Sequence, residues 1–329
     1  MSSASIGGVD PAAVAVAAAR LGDRAVPGMA LAPLTTYKVG GPAALGVVVR
    51  SEADLAAVAA ARRASGLPLL VVGRGSNLVV AERGFGGIAL ILEDAPAFSF
   101  VRFDGTLVRA GAAVPLPALA RRSVEAGLTG FEWAVGVPGS LGGGVRMNAG
   151  GHGSTMAACL VSVRRWDLED ASVREVPAAD LALGYRRSAV TAWQVVTAAS
   201  LQLQAGDVAQ GRATIREIVG WRREHQPGGQ NAGSVFTNPA EDPEGRSAGS
   251  LIEAAGCKGQ RSGSAVVSVK HANFIQADAG GSADDIAALI VQIQAKVLDR
   301  FGVQLRPELR LIGFDESNPQ PSTSTGCRN

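Results

Sequence analysis

A run of glycines between Gly136 and Gly153 is the part of this sequence best suited to binding a ligand. Eight glycines and a single proline fall in this segment, which lacks the serine, glutamine and lysine content of a flexible linker. Glycine has no Cβ, so it accepts positive φ and lets the main chain approach a ligand closely. Consecutive bare amides can also hold phosphate oxygens. The segment therefore predicts a wall of main chain against a flat or phosphorylated cofactor.

A second glycine loop, Gly73-Arg74-Gly75-Ser76-Asn77, follows an apolar strand predicted at 69–72. It is not the Rossmann fingerprint, because Leu78 stands where the third glycine is required and the next segment has the pattern of a strand. No lysine of the chain follows a glycine, which excludes a Walker P-loop. Both glycine loops carry small polar side chains that can hydrogen-bond a pyrophosphate: Ser76, Asn77, Ser140 and Asn148.

Composition and charge exclude several classes of protein. The 329 residues allow two or three modules, and 31 basic against 29 acidic residues leave no electrostatic footprint for nucleic acid. The three cysteines are far apart and form neither a metal clamp nor a disulfide framework. The sequence shows no membrane span and no signal peptide. We therefore expect a cytoplasmic protein without a metal, a nucleic-acid partner or membrane insertion.

Three blocks of α+β elements position the glycine loops. The first has a β-α-β-loop-β order, with strands at 45–50, 69–72 and 78–80 and a helix opened by capping-box residues 51–54. The second contains a hairpin with a type I′ signal at Asp104-Gly105, a helix at 117–126, the glycine-rich wall and strands at 161–168 and 195–203. The third has helices at 212–224 and 284–301.

These blocks predict a division of the chain into five parts. An N-terminal helical extension over 1–30 begins with the N-cap pair Asp10-Pro11. Three domains follow at 31–95, 96–206 and 207–313. The polar remainder, 314–329, cannot bury a core and is expected to be a disordered tail.

Seven motifs in a fixed order resemble the UDP-N-acetylenolpyruvoylglucosamine reductase family. They are TTYKVGGPA at 35–43, VGRGSNL at 72–78, GVPGSLGG with MNAG within 136–150, LGYRRS at 183–188, NAGSVFTNP at 231–239, KHANFI at 270–275 and FGVQLRPELR at 301–310. The resemblance covers residues 33–313. The short interval between Tyr185 and Ser234 is similar to the shorter form of the family, which lacks a tyrosine lid.

The resemblance implies an α+β fold: a two-part FAD-binding architecture of the vanillyl-alcohol-oxidase type plus a third, substrate-binding domain. It also implies the activity, an NADPH-dependent reduction of UDP-N-acetylglucosamine enolpyruvate through FAD, which serves peptidoglycan precursor synthesis. This reaction places the chain among oxidoreductases that act on a CH–CH bond. We expect a monomer.

Three catalytic residues are carried over by their motifs: Arg186, Ser234 and Glu308. A guanidinium stays charged and presents a planar fork to a carboxylate, which suits Arg186 to the charge that develops beside the substrate carboxylate. Ser234 would protonate the carbon next to it, and Gly233 would let the backbone aim its hydroxyl. Glu308, held in a water-poor site, would favour its protonated form and donate a hydrogen bond.

The resemblance also assigns binding residues. Those for the cofactor are Tyr37, Gly73, Arg74, Gly75, Ser76, Asn77, Leu78, Gly136, Val137, Pro138, Gly139, Ser140, Gly142, Gly143, Asn148, Ala149, Gly150 and Arg310. Those for the substrate are Tyr185, Asn238, His271 and His152, and Asn273 is expected to support the substrate domain beside His271.

The chain departs from the family pattern at four positions: His152, Thr237, His225 and Arg306. The changes at 237 and 225 remove two ammonium groups and weaken attraction for phosphate, unless Arg222, Arg223 or Arg261 compensates. Two other functions stay open. One is a flavin-dependent alcohol or sugar oxidase of the same fold, and the other is a flavin-binding module without catalysis.

Overall fold

The computed structural model describes residues 6–92 and 94–314. Eight α-helices lie within them: α1 Pro11–Leu21, α2 Glu52–Ser65, α3 Pro96–Ser99, α4 Leu116–Glu125, α5 Leu141–Arg146, α6 Val208–His225, α7 Ala248–Ala254 and α8 Ala283–Phe301. The strands of the same residues are β1 Val26–Ala30, β2 Pro42–Val49, β3 Leu69–Val72, β4 Leu78–Val80, β5 Phe85–Leu92, β6 Val101–Asp104, β7 Leu107–Gly111, β8 Leu128–Thr129, β9 Gly150–Gly151, β10 Ser154–Thr155, β11 Leu160–Asp167, β12 Ser172–Pro177, β13 Gln194–Gln202, β14 Gln204–Ala205, β15 Arg261–Ser262, β16 Ala265–Val267, β17 Ile275–Ala277 and β18 Arg310–Ile312.

The described residues form two compact units that are discontinuous in sequence. The first comprises residues 6–29, 43–75 and 86–224, and the second comprises 30–42, 76–85 and 225–314. Strand pairing causes this grouping, because β4 pairs in parallel with β18 at the other end of the chain. The predicted domains were continuous, and their borders at 95 and 206 do not coincide with the two units. A finer division of the first unit stays a prediction.

Two sheets form the framework of the first unit. One has the strand order β1-β2-β5-β3, with β3 and β5 parallel. The other is antiparallel, with the order β12-β11-β13-β7-β6. Helix α2 begins at the predicted capping box, in which Ser51 and Asp54 bond each other's backbone, and it ends at Gly66 with φ 72°. Buried aliphatic side chains of α1, α2 and the first sheet form one core of this unit.

The second unit is built around helix α8. Its buried residues Ile286, Leu289, Ile290, Ile293 and Val297 recur at helical spacing and face a core that includes residues of β16, β17 and β18. Ser282 caps the first turn, and Gly302 ends the helix with φ 68°. The three-stranded sheet β15-β16-β17 is antiparallel.

Most predicted elements are present, with two differences. The β6–β7 hairpin forms, but its register pairs Asp104 with Leu107, so Gly105 and Thr106 are the central turn residues. Only Gly105 has positive φ, so the turn is not type I′, which needs positive φ at both positions. The segment 1–30 was expected to be helical, yet it ends in strand β1 because 26–30 pair with β2. The predicted tail lies, apart from Phe314, outside the described residues.

Candidate active site

The two glycine loops of the first unit lie in contact with each other. A Cβ at Gly73 would lie 2.7 Å from the Oγ of Ser140, so a side chain at this position would require the hydroxyl to move. Ser140 occupies the N-cap position of α5, but its hydroxyl does not cap the helix. The hydroxyl is therefore held against the 73–75 loop rather than used by the helix. Gly75 completes the loop with φ 59°.

The wall continues through α5, where the main chain is packed tightly against β7 and its continuation. Gly142 donates to the carbonyl of Ala112, and a Cβ at Gly142 would lie 2.9 Å from the Cβ of Ala112. Gly143 is more open, since its nearest contact would be the Ser140 Oγ at 3.5 Å. Part of the wall thus needs glycine for packing, and part leaves main chain exposed.

Arg186 lies in a two-residue turn. Gly184 and Arg187 pair on either side of Tyr185 and Arg186. Arg186 has φ 54°, in the left-handed region that residues other than glycine rarely adopt. Such backbone strain persists only where the surroundings determine the conformation, and it clusters at functional sites. The Arg186 guanidinium lies 5.8 Å from the centroid of the Tyr185 ring, which is itself exposed.

The wall fixes this turn through side chains. The buried Asn148 donates from Nδ2 to the Gly184 carbonyl at 2.9 Å and accepts from the Ala157 amide at 2.9 Å. The Ser188 hydroxyl donates to the carbonyl of Arg146 at 2.7 Å, and Arg146 donates to the carbonyl of Thr191 at 2.7 Å. The predicted cofactor ligand Asn148 thus has its side-chain oxygen and nitrogen bonded within the protein and positions the Arg186 turn. Sequence reasoning did not single out Arg146.

In the second unit, backbone pairing brings the other two predicted catalytic residues onto neighbouring segments. Phe236 pairs with Pro307, the Thr237 amide donates to Arg306, and the Glu308 amide donates to Val235 at 2.7 Å. Ser234 therefore lies just before segment 235–237, and Glu308 lies at the end of segment 306–308, with which it pairs. Gly233, just before Ser234, has φ 79°, as the expected backbone turn requires.

Asn273 clamps this pair from the opposite side. Its Nδ2 donates to the Phe236 carbonyl at 2.8 Å, its Oδ1 accepts from the Phe236 amide at 2.9 Å, and its own carbonyl accepts from Val235. His271 supports Asn273 by accepting its amide proton at Nδ1, and the ring packs edge-on against Phe274 at 4.7 Å. The supporting role expected for Asn273 fits this geometry. Burial lowers the pKa of His271, which favours its neutral, accepting form.

Asn77, at the end of the second glycine loop, bonds the backbone of Glu308 and Arg310. Its Nδ2 donates to the Glu308 carbonyl at 3.2 Å, and its carbonyl accepts from the Arg310 amide at 3.0 Å. The pKa of Arg310 is lowered because burial disfavours its charge. Asn77, Ser234, Glu308 and Arg310 therefore belong to one locality of the second unit.

Three predicted binding residues make contacts within the protein. Tyr37 is fully buried, donates its hydroxyl to the Ile275 carbonyl at 3.1 Å, and has a raised pKa because of that burial. Leu78 is buried in β4 opposite Arg310. Asn238 accepts from the Ala248 amide at 3.0 Å at the start of α7. The sequence alone does not distinguish a tyrosine or asparagine that bonds the protein's own main chain from one that contacts a ligand.

The other predicted positions differ in exposure. Gly136 and Ala149 are buried, Val137, Gly139 and Gly150 are half-buried, and Arg74, Pro138 and His152 are exposed. His152 has φ 49° and packs edge-on against Trp221 at 5.3 Å between ring centroids. Burial of the His152 ring, followed by the nearby Arg222 charge, lowers its pKa.

The first unit has the features that a flavin dinucleotide requires. The Ser140 hydroxyl of the glycine-rich wall lies against Gly73 of the other loop and does not cap α5. Small polar groups and bare main chain suit a pyrophosphate and a flat ring system. Residues 43–176 match the family model of an FAD binding domain. The fold and this part of the site therefore define an FAD-binding oxidoreductase.

The second unit identifies the family. Residues 225–312 match the model of the UDP-N-acetylenolpyruvoylglucosamine reductase C-terminal domain, and this match begins at residue 225, where the last segment of the second unit begins. A reductase of this name from Heliobacterium modesticaldum is 42% identical over 284 residues, which are 85% of this chain and 88% of the relative. One from Synechococcus sp. strain JA-3-3Ab is 41% identical over 303 residues, 91% of this chain and 95% of the relative.

A solved structure agrees with the sequence comparisons. The UDP-N-acetylenolpyruvylglucosamine reductase of Thermus caldophilus superposes with a TM-score of 0.74 at 31% identity and covers 88% of this chain and 99% of its own. The chain belongs to the UDP-N-acetylenolpyruvoylglucosamine reductase family. The predicted fold class and cofactor are confirmed.

Proposed function

We propose that this protein reduces UDP-N-acetylglucosamine enolpyruvate to UDP-N-acetylmuramate, a step of peptidoglycan precursor synthesis, with FAD as cofactor and NADPH as electron donor. Family membership over most of the chain carries this conclusion. Bound FAD supplies the hydride chemistry that no side chain can supply. The protein then has three tasks of its own: to hold the ligands, to stabilise charge beside the substrate carboxylate, and to deliver a proton.

Arg186 is the residue of the first unit proposed for charge stabilisation. Its guanidinium remains charged, and its fork matches a carboxylate. The left-handed turn, held by Asn148 and Ser188, preorganises the side chain before substrate arrives. Preorganised donors aimed where charge develops are worth about 10²- to 10³-fold in rate each. The strained backbone is therefore consistent with a catalytic role.

Ser234 is proposed as the proton donor, with Glu308 assisting. The developing carbanion is strongly basic, so a hydroxyl need only be aimed at the carbon to transfer its proton. Asn273 and the pair between 235–237 and 306–308 give Ser234 and Glu308 a fixed backbone. A Glu308 carboxyl that carries a proton can donate a hydrogen bond to the enolate oxygen, which lowers the charge there.

The remaining proposals concern surroundings and partners. The chain acts as a monomer in the cytoplasm, with NADPH and the UDP-sugar as its small-molecule partners. No helix of residues 6–92 or 94–314 has the length and apolar character needed to cross a bilayer. The glycine loops are proposed to hold FAD, with Arg310 close to it, and Tyr185, His152, His271 and Asn238 remain candidates for the substrate side.

A two-stage assay tests the function. The purified protein is examined for flavin absorbance, and NADPH oxidation is followed with and without UDP-N-acetylglucosamine enolpyruvate. Ser234→Ala should keep FAD and NADPH-driven flavin reduction but lose turnover of the enolpyruvate. Flavin-free protein that stays colourless after incubation with FAD would overturn the proposal, and an equal loss of flavin reduction in Ser234→Ala would overturn the serine's role.

Two alternatives give different outcomes in the same assay. An alcohol or sugar oxidase would show fast reoxidation of the reduced flavin by air without substrate. A non-catalytic flavin-binding module would bind the UDP-sugar without turnover. The presence of Arg186, Ser234 and Glu308 together favours the reductase over both.

A further inference from the structure

Helix α6 carries a cation that its own geometry turns toward the glycine-rich wall. The buried positions Gly211, Ile215 and Ile218 recur at helical spacing, and Arg222 is the next position on the same face. The exposed side of the helix holds Arg216 and Arg223 instead. An arginine therefore continues a stripe of residues that otherwise packs inward within the first unit.

Gly136 makes room for this side chain. A Cβ at Gly136 would lie 3.2 Å from both Cδ and Nη1 of Arg222, and 3.5 Å from Nε2 of His152. The two separations from Arg222 are tighter than ordinary van der Waals contacts, so the guanidinium lies on bare main chain at the start of the wall. His152 in turn packs on Trp221, the neighbour of Arg222, which closes the cluster on one side.

Arg222 lacks the carboxylate partner that buried arginines usually have. Burial lowers the pKa of Arg222. No carboxylate of the described residues forms an ion pair with it that would offset the cost of burying its charge. Two other arginines form ion pairs: Arg212 of α6 with Glu125, and Arg261 of the second unit with Asp278. A half-buried, uncompensated guanidinium on a ligand-binding wall is therefore suited to a ligand's negative charge.

We propose that Arg222, seated on Gly136, binds a phosphate group of a nucleotide ligand at the glycine-rich wall. The inference rests on the proposed function, which makes FAD, NADPH and a UDP-sugar the nucleotides present. A guanidinium fork binds phosphate oxygens in pairs, which main-chain amides alone do not reproduce. Of the three arginines considered as replacements for the missing ammonium groups, Arg261 is paired with Asp278 and Arg223 is exposed on the opposite face.

Affinities of the three nucleotides test this assignment. FAD is titrated into flavin-free protein, and NADPH and uridine diphosphate are titrated separately into FAD-loaded protein. In R222Q the affinity for at least one of them should fall on the order of tenfold to a hundredfold, with a smaller loss in R222K. The nucleotide affected identifies whose phosphate is bound. R216Q, an exposed arginine of the same helix, should leave all three affinities unchanged.

A second variant gives the same information without removing the arginine. G136A should displace the guanidinium and weaken the same nucleotide, which keeps the test valid if R222Q does not fold. Unchanged affinities in R222Q, or equal losses in R216Q, would overturn the inference. Wild-type protein that takes up no FAD would instead overturn the proposed function, so the two failures are distinguishable.

Discussion

The two units position their predicted catalytic residues by different physical means. In the first, backbone conformation does most of the positioning: Arg186 and Asn148 both have left-handed φ, and glycines line the neighbouring wall. In the second unit, a buried amide side chain positions the residues. Asn273 bonds both the amide and the carbonyl of Phe236, two residues after Ser234. The first arrangement tolerates few residue types at a strained position, whereas the second depends on one side chain that satisfies two buried polar groups.

This difference suggests what each unit has to do. Main chain proposed to contact FAD needs the absence of side chains, which fits the glycines and positive φ of the first unit. The proposed proton donor Ser234 needs a fixed direction, which fits the immobilised backbone of the second unit. The variants below break one arrangement or the other, beginning with the largest expected effect.

Replacing Arg186 should have the largest effect, because it removes a charge that the turn preorganises. Arg186→Gln should lower kcat about 10²- to 10³-fold, while FAD content and thermal stability stay close to wild type. Arg187→Gln, the exposed neighbour in the same turn, serves as control and should retain most activity. Similar losses in both variants would show that the turn matters, and not the Arg186 guanidinium.

Asn273→Ala tests the amide clamp of the second unit. It leaves the Phe236 amide and carbonyl without their partners in a buried environment, which should lower the free energy of unfolding by about 2–4 kcal/mol. Asn273→Asp keeps the acceptor for the Phe236 amide but sets a buried carboxylate oxygen against the Phe236 carbonyl, so it should also be less stable than wild type. Denaturant titration of both variants measures the difference, and an Asn273→Ala protein as stable as wild type would contradict the clamp.

Asn148 tests the backbone-based arrangement directly. Alanine and glycine both remove its two side-chain hydrogen bonds, but only glycine accepts φ 40° without cost. Asn148→Ala should therefore be less stable than Asn148→Gly by about 1 kcal/mol. If the two variants unfold at the same denaturant concentration, strain at this position is absent.

Tyr37→Phe should have the smallest effect. It removes one buried hydrogen bond to Ile275 and should cost about 1 kcal/mol of unfolding free energy. Because Tyr37 is fully buried in the second unit, FAD affinity should not change. A weaker FAD complex in this variant would restore Tyr37 to the cofactor site, where the motif had placed it.

Much of the site was predictable because it depends on local chemistry. Runs of glycine predict close approach of the main chain, and the capping box at 51–54 predicts the start of a helix. The motifs and their order indicate the family. Gly233 adopted the expected positive φ. The turn conformation of Arg186 gave no such signal, since arginine has no preference for left-handed backbone.

The sequence by itself determined the family and the α+β fold, and it supplied the glycine loops proposed to hold FAD and the three proposed catalytic residues. Only the tertiary structure decided that Tyr37 and Asn238 bond main-chain groups of distant segments, that Asn148 holds the Arg186 turn, and that Arg222 lies on Gly136. The physical reason is that residue type and local spacing fix what a side chain can do. Which partner it meets depends on contacts between segments far apart in the chain.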